Sequence, residues 1–289
     1  MHLLAADRAR FGRRRDLQLL VLLVPVILLA IFVNEFNSVT TQPTADFFID
    51  PPDPVLEAQL RDQQLAEWRQ QLVVDLPQYA FPASLVKVAG NVAPLVLLAI
   101  YLATALVAGE FEWGTVRTIH LTSSRSRTMA TRIALVAGLV ALATAIALVL
   151  ASVIPFLLSF EGHSLQSYAT PVPDLAAQVG VRLVTVLPFV TIPAMMSVLA
   201  RSTGLGFLFT LLFFAADIAL TGAPIWPNGP LSWVPAATIS GSIARLLGTD
   251  DSFLASLAPA WVSVVALVGW ALVPALAAVA RFRTMDLNE

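Results

Sequence analysis

Long apolar runs broken by polar intervals set the character of this chain. Runs at 17–33, 86–108, 129–158, 182–200, 204–221 and 258–280 are each long enough for a membrane-spanning helix, which takes about 17–25 residues. The intervals between them differ in kind. Residues 1–16 interleave Arg8, Arg10, Arg13, Arg14 and Arg15 with Leu3, Leu4 and Phe11, the pattern of a basic interfacial segment. Residues 34–85 form the largest polar interval. It opens rich in Pro and Thr and turns helical over 54–76, where Leu56, Leu60, Leu65, Trp68 and Leu72 recur at steps of three to five. The interval 222–257 begins with Pro224, Pro227 and Pro230 and holds a short amphipathic piece carrying Ile239, Ile243, Leu246 and Leu247. The pattern predicts an all-α polytopic membrane protein of six transmembrane helices, with amphipathic helices on the outer side.

Local signals refine these elements. Pro25, Pro94, Pro188, Pro193 and Pro274 lie inside the apolar runs, and Pro25 is read as a kink in the first. In the third run Ala137, Ala141 and Ala145 repeat at four-residue spacing, which lets a neighbouring helix approach closely. Residues 159–181, with Pro171 and Pro173, read as an outer loop, and Arg201-Ser202-Thr203-Gly204 as a tight turn. The helix over 54–76 reads either as an external element that gates or receives substrate or as a cap on the outer mouth of the bundle; the cap is favoured because no catalytic set accompanies it.

Composition and charge add a class and an orientation. At 57% hydrophobic and 12% charged, with mean hydropathy +0.79, the chain is no ordinary soluble domain. The absence of cysteine excludes disulfides and thiolate chemistry. With six spans, twelve of the seventeen basic residues fall on the side of the termini. The positive-inside rule then makes both termini cytoplasmic.

The polar stretch between the second and third runs, GEFEWGTVRTIHLTSSRSRTMATR over 109–132, is ordered in a telling way. Glu110 and Glu112 precede Arg117, Arg125 and Arg127, the order that a helix dipole favours. Trp113, Val116 and Ile119 recur every three residues, as in a short amphipathic helix lying on a membrane surface. Thr122-Ser123-Ser124 is turn and cap material, so Ser124 or Ser126 opens the next helix.

Glu110, then Gly114-Thr115, then Arg125 and Arg132 resembles the signature that follows the second membrane helix in ABC-2-type transporter permeases. These are the membrane subunits of ATP-driven ABC transporters, mostly exporters. Ser123 or Ser124 stands where the family commonly has proline, and Arg132 where lysine is usual; turn and charge are preserved. The resemblance covers the whole chain in layout and 110–132 in residues. It implies that 109–128 is a coupling helix and turn docking on a separate ABC ATPase subunit. Glu110, Glu112, Trp113, Gly114, Thr115 and Arg117 would then form the docking element, with Arg125 and Arg132 fixing its exit. It also implies a second permease subunit, identical or paired, a plasma or inner membrane location, and ATP and Mg bound by the ATPase rather than by this chain.

Other chemistry is sparse. No G-x-x-x-x-G-K-[ST] phosphate loop occurs and Lys87 is the sole lysine, so ATP hydrolysis is not expected of this chain, nor any other catalysis. Asp217 lies inside the fifth run, and an intramembrane acid is a suspect for a pathway or interface role. It supports an alternative function, an ion-gradient-driven secondary carrier. His2, His120 and His163 are scattered, which argues against a metal site. Glu35 and Asn34 read as solvating the end of the first helix. The apolar spans suit an amphipathic or lipid-like cargo in contact with membrane lipid, and nothing suggests nucleic acid as a partner.

Overall fold

A computed structural model describes residues 15–43, 54–112, 124–221, 234–247 and 260–285. Helix α1, Arg15–Thr40, buries Leu17, Val21, Val24, Leu28, Phe32 and Phe36 along one stripe. Leu19, Leu22, Leu23 and Val26 point outward on its other faces. Large apolar side chains on the outside of a helix are what a lipid-facing surface requires. The helix outlasts its apolar run, which ends at 33, because Phe36 continues the buried stripe and side chains cover the last carbonyls. Ser38 donates to the carbonyl of Glu35 (2.8 Å) and Thr40 to that of Phe36 (2.8 Å).

Helix α2, Pro54–Tyr79, is polar along most of its length and is buried only near its end, at Leu72, Leu76 and Tyr79. Its Trp68 indole donates to the Val39 carbonyl at 3.0 Å, tying it to the end of α1. Helices α3, Ala83–Gly90, and α4, Ala93–Val107, meet at a 49° bend. Pro94, in the first turn of α4, has no N–H to continue the ladder from α3, so the chain breaks there. Beyond the bend α4 is buried on nearly every side, from Leu95 to Val107.

A four-residue helix α5, Gly109–Glu112, precedes α6, Arg125–Val153. A short 3-10 turn and a hairpin follow, β1, Ser159–Phe160, paired antiparallel with β2, His163–Ser164. Glu161 and Gly162 turn it with φ of 49° and 80°, the left-handed pair that suits a two-residue hairpin. Helices α7, Leu175–Val184, and α8, Leu187–Ala200, together make one apolar stretch, Leu175–Ala200. The helix therefore starts well before residue 182, inside the stretch expected as loop, directly after Pro173-Asp174. As a result Arg182 sits within the apolar segment rather than at its edge.

Arg201, at φ 54°, caps α8 and turns the chain into α9, Thr203–Thr221. Two short helices, α10, Val234–Ala237, and α11, Ile239–Leu247, precede the last, α12, Ala260–Thr284. Helix α8 is the hub, packed on α12, α9 and α4, while α1 and α6 pack on each other and on α4. Among the described residues five helices are long and apolar enough to cross a membrane, or six when the bent α3–α4 pair counts as one span. The described chain is an all-α, multi-pass membrane protein.

Cross-links fix which helix ends lie together. Glu35 with Lys87, and Ser84 with the Ala151 carbonyl, gather the ends of α1 and α6 around α3. Arg125 and the last turn of α12 meet at the other end. We call the latter the arginine end and the former the distal end.

Gly206 carries a close helix contact. A Cβ there would sit 2.8 Å from the Ser197 hydroxyl oxygen and 2.9 Å from its Cα, so α8 and α9 touch backbone to backbone. Gly206→Val should lower the thermal stability of the purified protein by about 1–3 kcal/mol through overpacking. Gly204→Ala, with nothing within 4 Å, should leave it nearly unchanged.

Candidate functional site

At the arginine end the connection between the second and third apolar segments is held at both margins by the last turn of α12. On entry, the Phe111 ring meets Phe282 edge-on, with centroids 5.8 Å apart. On exit, Arg125 Nη1 donates to the Met285 carbonyl at 2.5 Å and reaches the Arg283 carbonyl at 3.5 Å. Phe282 and Met285 are themselves buried, at 1% and 2% exposure. The sequence explains why the arginine points away from its own helix. Arg125 and Arg127 occupy the first turn of α6, where the helix dipole repels a cation. The last carbonyls of α12 lack partners within their helix and attract one. Ser124 precedes α6 in extended conformation, and its carbonyl accepts from the Thr128 amide at 3.1 Å.

Arg132 lies two turns further on, 3% exposed, on the buried face that includes Thr128, Met129 and Val136. Glu110 and Glu112 belong to α5. Trp113, Gly114, Thr115 and Arg117 lie outside the described residues. Of the residues named from the sequence, the structure thus brings Arg125 onto the end of α12 and buries Arg132 in the bundle.

Asp217 is at the distal end of α9, 5% exposed, and its carboxylate is fully engaged. Oδ1 accepts from the Ile239 amide at 2.9 Å and Oδ2 from the Ser240 amide at 2.7 Å. Those are the first amides of α11, donors that have no partner inside the helix. An anion at that end is favoured by the dipole as well. Thr238, just before α11, accepts from the Gly241 amide at 3.1 Å and lies 2.7 Å from the Thr221 hydroxyl. Trp270 on α12 donates to the Ala237 carbonyl at 2.8 Å. Gly241 permits the turn, because a Cβ there would overlap the Pro235 carbonyl oxygen. One acid from a long helix thus caps a short one and holds it on the bundle.

Two further polar residues at this end carried no role in the sequence. Lys87 on α3 lies 3.2 Å from Glu35 and 4.4 Å above the Tyr79 ring. Burial pushes the Tyr79 phenol above its ordinary pKa, and the Lys87 ammonium beside it pulls the other way. Arg182 on α7 faces Lys87 across a cavity of 470 Å³. The available signal was Lys87 itself, a single lysine in an apolar neighbourhood. A second, apolar groove of 260 Å³ separates α6 from α7 and α8, and Ala137, Ala141 and Ala145 line its wall. Among the described residues no three His, Asp or Glu side chains could share a metal ion.

These features define a membrane-embedded helical bundle with a polar fastening at each end. No protein-family model matches the chain, and no curated protein matches it.

Asp217→Ala would leave the buried Ile239 amide and the partly buried Ser240 amide without acceptors, and should destabilise the purified protein by about 3 kcal/mol in thermal unfolding. Asp217→Asn keeps one acceptor oxygen and should cost clearly less.

Proposed function

We propose that the chain is the membrane permease subunit of an ATP-driven ABC transporter of the ABC-2 type, working as an exporter with a separate ATPase. The observation that carries this reading is the double attachment of the 109–132 connection to the end of α12. Phe111 on one side and Arg125 on the other bear on the same turn. A force applied to that connection would pass directly into the last long helix. A coupling element needs that arrangement. In this reading the arginine end faces the cytoplasm, consistent with its excess of basic residues. Glu110, Glu112, Trp113, Gly114, Thr115 and Arg117 form the surface that meets the ATPase, and Arg125 and Arg132 anchor it. Closure of an ATPase pair on ATP pushes this surface, and two permease subunits reorient around a shared path. The cargo is amphipathic or lipid-like, in keeping with the apolar spans.

The capping of α11 by Asp217 gives its burial a structural cause that needs no transported ion. This favours the ATP-driven reading over an ion-gradient-driven carrier. A carrier coupled through Asp217 loses transport in Asp217→Asn, whereas the permease reading expects transport to survive wherever the variant folds.

Purification of the tagged protein from its native membranes, followed by mass spectrometry, tests the assignment. A stoichiometric ABC ATPase should accompany it and disappear when 110–117 is scrambled in a still-inserted chain. Recovery without a nucleotide-binding partner, repeated after crosslinking, would sink the proposal. Arg125→Glu should insert normally yet lower transport per ATP hydrolysed by about tenfold, since it exchanges a charge-assisted hydrogen bond for repulsion at the end of α12.

A further inference from the structure

The distal cavity of 470 Å³ is an open cleft bordered by the end of α2, by α3 and by α7, and its lining includes Gln78, Lys87, Gly90, Gln178 and Arg182. Two cations from different helices therefore border one cleft near the distal end of the bundle. Their charges are not equally balanced. Lys87 is neutralised by Glu35 at 3.2 Å. Arg182 donates from Nη1 to the Gln178 carbonyl at 3.0 Å, and among the described residues no carboxylate lies within 4 Å of it. Among the described residues the cavity thus carries about one uncompensated positive charge.

That charge is held in place. Gly90, where α3 stops before the bend, passes so close that a Cβ there would lie 3.4 Å from Arg182 Nε. The guanidinium is fixed between this backbone and its own helix. Arg182 also lies inside the apolar segment Leu175–Ala200, where an unpaired cation is costly. An arginine that no described carboxylate balances, beside an open cleft, leaves a place for an anion.

We propose that this cavity binds a phosphate ester carrying a single negative charge, with Arg182 as its principal ligand and Lys87 at its margin. A planar guanidinium takes two oxygens of a phosphate side by side, and an ammonium adds a point charge to a third. A monoanionic phosphodiester matches the one open charge, which a halide or a dianion would match less well in geometry or charge. The space exceeds a bare phosphate and leaves room for the esterified group. At the margin of the apolar segments, phospholipid headgroups are at hand. A soluble phosphate compound presents the same chemistry. The site does not depend on the transporter assignment.

The test uses the full chain in detergent, titrated with phosphatidylglycerol or with phosphatidylcholine and read by native mass spectrometry. Thermal stabilisation by inorganic phosphate is measured in parallel. Phosphatidylglycerol should bind in preference to phosphatidylcholine, about tenfold more weakly to Arg182→Gln and a few-fold more weakly to Arg182→Lys. That result assigns the phosphate to a membrane lipid. Stabilisation by inorganic phosphate that needs Arg182, without any lipid preference, assigns it to a soluble compound. Equal binding of both probes by wild type and variants, or binding of neither by wild type, overturns the proposal. Should Arg182→Gln fail to fold, Arg182→Lys decides alone, and unchanged binding there overturns it equally.

Discussion

A helix that ends in or near a bilayer has backbone groups that water does not reach, and this chain solves the problem by lending charges between helices. Four amides at one end and four carbonyls at the other lack partners within any helix. In hydrocarbon each unsatisfied group costs several kcal/mol. Asp217 supplies the acceptors for α11 from a residue 22 positions earlier, and Arg125 supplies a donor for α12 from 160 positions away. Both choices agree with the dipole of the helix they serve, an acid at a positive end and a base at a negative one. Neither charge serves its own helix in this way. The two contacts therefore fasten elements to one another as well as satisfying the backbone, one at each end of the bundle.

This arrangement ties the fold to the proposed mechanism. The packed middle, with α8 against α12, α9 and α4, is apolar and close-fitting, and Gly206 brings the backbones of α8 and α9 into contact beside the turn that joins them. Such an interior transmits displacement rather than absorbing it. The fastening at the arginine end joins the polar connection to α12, and α12 in turn touches α8 along its length. A push on the connection would meet a continuous path to the centre of the molecule.

The long helices were legible because length and apolarity alone identify them. Their limits were less so. Asn34 and Glu35 look like a helix end, yet Phe36 packs with Phe32 around Tyr79 and draws α1 on to Thr40. Gln178 and Arg182 disguised the start of α7 as loop, since a local hydropathy reading cannot foresee a cavity that accommodates both. The alanines at 137, 141 and 145 suggested a tight helix contact, but they form the wall of an open groove. Spacing reports that a close approach is possible, and only the partner helix decides whether it happens. Asp217 stood out in the sequence as costly, but its partners, two backbone amides in another element, have no signature in residue identity. The docking surface expected at Trp113, Gly114, Thr115 and Arg117 rests on residue order alone.

Lys87 has one more consequence, of a practical kind. It is the chain's single lysine, so apart from the amino terminus it is the only primary amine the protein offers. Its side chain is 26% exposed and borders an open cavity at the distal end. Acylating reagents thus have one internal address, fixed to the end of the bundle opposite Arg125. A membrane-impermeant reagent applied from either face reads the orientation of the whole molecule from a single modification.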